Sequence, residues 1–146
     1  MTLRDRLLVT FDHAEGYRRH PYLDTAGVLT VGFGRNLEAV GVSRGEALML
    51  LANDLDAAIE ALAARWPWTG SLAEARLGTR IELCVNLGAA GLAEFTRMWG
   101  ALAAGDFERA AAEILDSDAA RSAPGLQLRY ARLARQMRTG TWTDEA

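Results

Sequence analysis

Apolar residues near the N-terminus follow two different periods. The first set recurs at helical spacing: Leu3, Leu7, Leu8 and Phe11. This spacing predicts a helix over residues 2 to about 14. Residues 17–37 instead mix aromatic and β-branched side chains with glycine and proline, which is typical of short strands joined by turns. We therefore expect a helix followed by a small antiparallel hairpin or meander.

The rest of the chain predicts a series of helices. Ser43, followed three residues later by Glu46, forms a capping box that marks the start of a helix. Helical periodicity continues to about Arg65, as one helix or as two that meet at residues 53–54. Further helices are expected over residues 73–87, 94–104, 107–116 and 125–138. The pattern thus predicts a helix, a small β lobe and a mostly helical body.

The composition fits a single globular domain with a substantial core. Half of the 146 residues are hydrophobic and 24% are charged, which is ordinary for a soluble protein. No apolar run is long enough to span a membrane. Charged residues begin at Arg4, too early for a signal peptide, so we expect synthesis in a cytoplasm. Cys84 is the lone cysteine and lies in an apolar run, which predicts a buried structural thiol.

The charge distribution leaves two interpretations of one segment. The formal net charge is −3, which argues against a general nucleic-acid binder. From Arg121 to Arg138 there are five arginines and no acidic residue. This segment is either a solvated basic helix face or a patch that meets an anionic polymer.

Glu15, Asp24 and Thr30 are candidate catalytic residues. Glycosidic hydrolysis needs a carboxylic acid that protonates the leaving oxygen and a carboxylate that activates water or attacks carbon. Glu15 ends the first helix and is expected to pack on apolar neighbours, whereas Asp24 lies in a turn and should be more exposed and ionised. Thr30 could then hold a water against Asp24. The alternative is a plain helix end followed by a common Asp-Thr-x-Gly turn.

Three consecutive motifs around these residues resemble the active-site segment of phage-type lysozymes. They are Glu15-Gly16-Tyr17-Arg18, Tyr22-Leu23-Asp24-Thr25-Ala26-Gly27 and Leu29-Thr30-Val31-Gly32-Phe33-Gly34. These proteins are the endolysins of glycoside hydrolase family 24, typified by the T-even phage lysozyme. The resemblance continues through residues 43–47, 53–58, 86–88, 95–96 and 138–142, so it covers nearly the whole chain.

The resemblance implies an α+β fold that is mostly helical and lysozyme-like. A small antiparallel β lobe and a larger helical lobe would be joined by a long helix, with a cleft between them. One lysozyme domain would occupy residues 1–146. The β-containing lobe would span about 13–60, and the helical lobe would comprise about 61–146 plus the N-terminal helix 2–12, which packs against it.

The same resemblance implies an N-acetylmuramidase that cuts the β-1,4 bond between N-acetylmuramic acid and N-acetylglucosamine in peptidoglycan. Glu15 would be the general acid, Asp24 the second catalytic carboxylate, and Thr30 would position the attacking water. No metal or organic cofactor would take part. The family is associated with inversion, which requires room for water between the carboxyl groups.

An endolysin of this kind would be made in the host bacterial cytoplasm and would reach the periplasmic cell wall after release by a holin. We expect a monomer that binds peptidoglycan glycan strands, with no nucleic-acid partner and no membrane insertion. Two alternatives stay open. One is a non-catalytic wall-binding or virion structural module. The other is a lytic transglycosylase, which needs an acid but no water-activating base.

The chain departs from the family pattern just after the catalytic segment. Arg35 stands where relatives often have a histidine that pairs with an aspartate on the following helix. Asp54 occupies the matching place. We therefore predict an ion pair between Arg35 and Asp54, and the alternative is two independent surface charges.

Substrate recognition also departs from the pattern. Gly34, Asn36 and Asn86 are the predicted substrate-binding residues, and Asn86 keeps an amide where relatives often have glutamine. Residues unlike those of the typical member stand at further contact positions, namely Val85, Met98 and Glu113. The candidates for a basic neighbour of the general acid are Arg129 first and Arg132 second, and the alternative is a plain surface arginine on a basic helix. For the four tryptophans, core packing is favoured over stacking on sugars: Trp66, Trp68, Trp99 and Trp142.

Overall fold

The computed structural model describes residues 1–143. Its strands are β1 (Arg18–Leu23), β2 (Leu29–Gly32) and β3 (Arg35–Asn36). Its helices are α1 (Leu3–Glu15), α2 (Arg44–Arg65), a 3-10 helix (Pro67–Ser71), α3 (Glu74–Ala93), α4 (Thr96–Ala103), α5 (Phe107–Leu115), α6 (Asp118–Arg121) and α7 (Pro124–Thr139). The small sheet and the helical majority confirm the α+β class. The last three residues of the predicted domain, 144–146, lie outside the described residues.

The chain forms two compact units. The first comprises residues 1–50 and the second begins at residue 51. Helix α2 begins in the first unit and continues without interruption into the second, so the alternative of two helices meeting at residues 53–54 is wrong. The predicted lobe limits stay a prediction.

The first unit contains α1 and the three-stranded sheet. Thr2 caps α1 through a reciprocal box with Asp5, which fixes the start of the helix. The strands are antiparallel in the order β1-β2-β3, so the predicted meander is confirmed. No residue of α1 is buried. Its predicted packing against the helical lobe stays a prediction.

The second unit holds the hydrophobic core. Apolar side chains from all its longer helices form one buried cluster, including Leu62, Leu83, Met98, Ile114 and Leu133. The buried Cys84 confirms the predicted structural thiol. Trp66 and Trp99 stack with ring centroids 3.8 Å apart at the edge of this core. Core packing is therefore confirmed for these two tryptophans.

Helix boundaries in the second unit follow local capping. Asp106 accepts a hydrogen bond from the backbone N–H of Arg109, which starts α5 at the predicted place. Gly88 adopts φ 71° and ψ 161° inside α3, which breaks the helix where the sequence predicted an end. Gly140 ends α7 in the left-handed region. The 3-10 helix and α6 were not predicted, because each is too short to produce an apolar period.

A buried arginine ties the 3-10 helix to α3. Arg80 is 4% exposed and donates a hydrogen bond to the Thr69 hydroxyl. Its Nε has no hydrogen-bond partner. Burial lowers the pKa of Arg80 to about 10, so the folded state carries the desolvation cost of this charge.

We predict that Arg80→Met raises the free energy of unfolding by about 1–2 kcal/mol, because methionine keeps the apolar stem while removing a poorly compensated buried charge. Chemical denaturation at pH 7 measures the change. The exposed Arg109→Met is the control for loss of one positive charge, and should change little. A loss of stability above about 1 kcal/mol in Arg80→Met would contradict this account.

Candidate active site

Glu15 is the last residue of α1 and lies beside the turn between β2 and β3. A Cβ built on Gly34 would be 3.5 Å from Glu15 Oε2, so the bare backbone of Gly34 forms a wall next to the carboxylate. Gly34 has φ 81°, a conformation that side chains disfavour. Glu15 is exposed. The prediction that it packs among apolar neighbours is therefore wrong, because α1 buries none of its residues.

Asp24 organises the turn between β1 and β2. Its Oδ1 accepts hydrogen bonds from the backbone N–H groups of Ala26 at 2.8 Å and Val28 at 2.9 Å. Its own N–H donates to the Val28 carbonyl at 3.0 Å. No described residue donates to Oδ2. The predicted turn is thus present, and one carboxylate oxygen stays available for chemistry. Asp24 is half-buried, so the expectation that it is more exposed than Glu15 is wrong.

Thr30 lies on β2 and is 4% exposed. Its hydroxyl donates to the Val28 carbonyl at 3.0 Å. Because that bond uses the only hydroxyl proton, Thr30 Oγ1 can act towards any further partner only as an acceptor. Asp24 and Thr30 therefore both bind the backbone of Val28. Asp24 Oδ2 and Thr30 Oγ1 can each still accept a hydrogen bond.

Asn36 lies opposite Thr30 in the β2–β3 pairing. Its Oδ1 accepts the backbone N–H of Ala39 at 2.8 Å, which fixes the turn after β3. The sheet therefore brings two predicted site residues, Thr30 and Asn36, to adjacent strand positions. The Asn36 carbonyl oxygen already serves the turn, so the amide NH₂ is the group left for a ligand.

Arg35 binds Glu46 instead of Asp54. Its Nη1 and Nη2 donate to Glu46 Oε1 at 2.6 Å and Oε2 at 2.9 Å. Its Nε donates to the Gly41 carbonyl at 2.7 Å. The predicted Arg35–Asp54 pair is wrong. The physical reason is that the capping box with Ser43 already holds Glu46 at the start of α2, within reach of β3.

Asn86 lies in the second unit and contacts Arg129. The Asn86 Oδ1 accepts a hydrogen bond from Arg129 Nη1 at 3.0 Å. Glu82 Oε1 lies 2.5 Å from Arg132 Nη2 and 3.9 Å from Arg129 Nε. Both candidate basic neighbours of the general acid are thus engaged by α3. Their placement next to Glu15 stays a prediction.

The comparison with known families decides the identity of this fold. The phage lysozyme family matches residues 12–132, which include Glu15, Asp24 and Thr30. The chain belongs to the phage lysozyme family. It is accordingly a glycosidase-type hydrolase of peptidoglycan, of the general endolysin class. No curated protein matches the chain at a significant level.

In this phage lysozyme the arginine-rich segment 121–138 is mostly neutralised. Arg121 binds Asp116 and Asp118, Arg132 binds Glu82, and Arg138 binds Glu108. The acidic partners lie in other parts of the second unit and are invisible within the segment itself. These ion pairs support the solvated helix face over a patch that meets an anionic polymer.

Two divergent contact positions line a cavity of about 330 Å³ in the second unit. Met98 is fully buried, so its side chain belongs to the core. Glu113 is 17% exposed and pairs with Arg97 Nε at 3.0 Å. Glu113 therefore lines this cavity as one half of an ion pair with Arg97.

Trp68 and Trp142 differ from the two core tryptophans. Trp68 is 44% exposed and Trp142 is 52% exposed. The Trp142 ring covers Gly78, where a Cβ would lie 2.2 Å from the ring. Core packing is therefore wrong for both Trp68 and Trp142, although the Trp142 ring does pack over Gly78 of α3.

Sequence reasoning missed two residues that organise the site. Val28 binds both Asp24 and Thr30 through its backbone, and a backbone role leaves no signature in residue type. Glu46 was identified as a cap, but its second role with Arg35 depends on tertiary placement.

Among residues 1–143, no group of three or more acidic, histidine or cysteine side chains could hold a metal ion. None of the described helices is both long and apolar enough to cross a membrane.

We predict that Asp24→Asn keeps the turn, whereas Asp24→Ala weakens it. The asparagine Oδ1 can still accept from Ala26 and Val28, so the unfolding free energy should change by less than about 0.5 kcal/mol. Alanine leaves both N–H groups without this partner and should cost about 1 kcal/mol or more. Thermal denaturation and hydrogen exchange at the Val28 amide measure both effects. Equal losses in the two variants would contradict the assigned role of Oδ1.

Proposed function

We propose that this chain is an N-acetylmuramidase that hydrolyses the β-1,4 bond between N-acetylmuramic acid and N-acetylglucosamine. Family membership supplies the substrate class. The observation that carries the proposal is the shared attachment of Asp24 and Thr30 to Val28. This attachment leaves Asp24 Oδ2 and Thr30 Oγ1 able to accept further hydrogen bonds, since no residue of 1–143 donates to them, which suits the activation of a water molecule.

Glu15 is the proposed general acid. It would donate its proton to the glycosidic oxygen as the bond to the anomeric carbon breaks. The absence of a side chain at Gly34 supports this role, because a Cβ there would lie 3.5 Å from Oε2, in van der Waals contact with the acid. After the reaction Glu15 is a carboxylate, and solvent returns its proton.

Asp24 and Thr30 are the proposed water site. A water that donates one hydrogen to Asp24 Oδ2 and the other to Thr30 Oγ1 keeps a lone pair for the anomeric carbon. While its hydroxyl donates to the Val28 carbonyl, Thr30 receives a hydrogen from the water and does not donate to it. As the new C–O bond forms, one water proton moves to Asp24. The product has inverted configuration, which requires carboxyl groups roughly 6.5–9.5 Å apart.

Gly34, Asn36 and Asn86 are the proposed substrate contacts. Arg129 only donates, so it holds Asn86 with Oδ1 turned towards itself. The NH₂ groups of both asparagines are then the donors left for a glycan. Donors of this kind suit the carbonyl oxygens of the N-acetyl groups.

We further propose that the enzyme acts as a monomer on the periplasmic wall after synthesis in the host cytoplasm, with access supplied by a holin. No cofactor enters the proposed reaction. Binding to peptidoglycan would then depend on the glycan contacts more than on charge, since most of the arginine-rich segment is already paired.

Glu15→Gln should lower the rate of sacculus digestion by about 10²-fold or more, because glutamine cannot donate a proton to the leaving oxygen. The exposed Asp12→Asn, on the same helix, is the matched control and should digest at the wild-type rate. Release of reducing ends from purified sacculi gives the rate. Circular dichroism checks that both variants fold.

Three outcomes would contradict the proposal in different ways. Full activity in Glu15→Gln would remove Glu15 from the mechanism. Wild-type protein that binds sacculi without releasing reducing ends would indicate a wall-binding or virion structural module. Anhydro-muramic products, with activity retained in Asp24→Asn, would indicate a lytic transglycosylase.

A further inference from the structure

Arg35 is held at three points within the first unit. Both terminal nitrogens bind the Glu46 carboxylate in parallel, and Nε binds the Gly41 carbonyl. A planar guanidinium paired in this two-pronged way has one orientation, unlike a single-contact surface pair. The side chain therefore fixes the position of its own backbone relative to the segment that leads into α2.

Glu46 is itself fixed by the start of α2. Its Oε2 accepts the backbone N–H of Ser43 at 2.8 Å, and its own N–H donates to Ser43 Oγ at 3.3 Å. The hydrogen bond from the Ser43 backbone is the largest cause that lowers the pKa of Glu46, and Arg35 adds to it. We call the set Arg35, Gly41, Ser43 and Glu46 the Arg35 clamp.

The two chain neighbours of Arg35 belong to the candidate active site. Gly34 precedes it and forms the backbone wall beside the Glu15 carboxylate. Asn36 follows it and lies opposite Thr30 in the sheet. Arg35 itself lies opposite Val31. Any shift of the Arg35 backbone would thus move the wall beside the proposed acid and the strand next to the proposed water site.

We propose that Arg35 is a positioning residue, which holds the Gly34 wall against Glu15 through its charge-dependent bond to Glu46. This inference rests on the proposed function. Arg35 touches neither Asp24 nor Thr30 among the hydrogen bonds of the described chain, so its effect on the reaction is exerted through Gly34. A small displacement of reacting groups is enough to cost a large factor in rate.

The charges that meet at the clamp make its pH dependence predictable. Glu46 is the acidic group within ion-pair distance of Arg35 among the described residues. The nearby Glu38 instead accepts the Leu29 N–H at 3.4 Å. Since the Glu46 pKa is lowered on folding, the clamp is fully present above the unfolded value of roughly 4.3 and is lost only as pH falls through the lowered value. Arginine keeps its charge at all higher pH.

The test compares Arg35→Gln, Arg35→Lys and Arg35→His with wild type between pH 5 and pH 9. Arg44→Gln is the matched control, because Arg44 is an exposed neighbour in the same unit with no ion pair in the described chain. The kcat and KM are measured with solubilised peptidoglycan chains. Each variant is assayed well below its own Tm.

Arg35→Gln should lower kcat by roughly 3- to 30-fold at every pH, because the Gly34 wall beside Glu15 is displaced. KM should rise by a smaller factor, because the proposed substrate contacts Gly34 and Asn36 adjoin Arg35. Arg35→Lys should lie between Arg35→Gln and wild type, because it keeps the charge and loses the two-pronged geometry. Arg44→Gln should match wild type.

Arg35→His is the variant that separates positioning from general stability. Pairing with Glu46 raises the folded pKa of the histidine, so the pair is complete below the unfolded value of about 6.5 and is lost as pH rises through the raised value. At each pH the ratio of its kcat to the wild-type kcat is compared, and this ratio should fall towards that of Arg35→Gln between roughly pH 6.5 and pH 8.

Glu46→Gln completes a double-mutant cycle with Arg35→Gln. If the clamp acts as one unit, the second substitution adds little to the first. The inference is overturned by wild-type kcat in folded Arg35→Gln with only a lower Tm, by a pH-independent loss in Arg35→His, or by additive effects in the cycle. Wild-type protein that releases no reducing ends would instead overturn the proposed function, and this inference with it.

Discussion

The candidate site depends on the backbone N–H and carbonyl of one residue, Val28. Its N–H binds the carboxylate of Asp24 and its carbonyl accepts the hydroxyl proton of Thr30. The same carbonyl closes the turn by accepting the N–H of Asp24. Three hydrogen bonds to one residue therefore set the position, the orientation and the hydrogen-bonding direction of both polar side chains. A hairpin that lost this registration would lose the geometry of both groups together.

In several side chains of the first unit, one atom holds the fold and another atom stays available for a second role. Asp24 uses Oδ1 to hold the turn and keeps Oδ2 for other partners. Thr30 uses its proton for the strand and keeps its lone pairs. Glu46 caps α2 and also anchors Arg35. A residue that looks structural in sequence can thus be functional as well, because the two roles use different atoms.

The sequence predicted local features well and tertiary partners poorly. Capping at Ser43 and Asp106 and the break at Gly88 depend on a few adjacent residues, so residue type alone located them. The partner of Arg35 was mispredicted because α2 carries several acidic residues, among them Glu46 and Asp54, and only the fold selects between them. The exposure of Glu15 was missed for a related reason, since burial depends on what packs against α1. Family resemblance identified the candidate catalytic residues but could not give their hydrogen-bond directions.

The proposed mechanism has Glu15 protonate the glycosidic oxygen while Asp24 and Thr30 direct a water molecule to the anomeric carbon of muramic acid. Digestion of purified sacculi in water labelled with oxygen-18, followed by mass spectrometry of the released fragments, tests it most directly. Hydrolysis should place one labelled oxygen at each new reducing end, and Glu15→Gln should lose that product. Fragments that end in anhydro-muramic acid without label would contradict it.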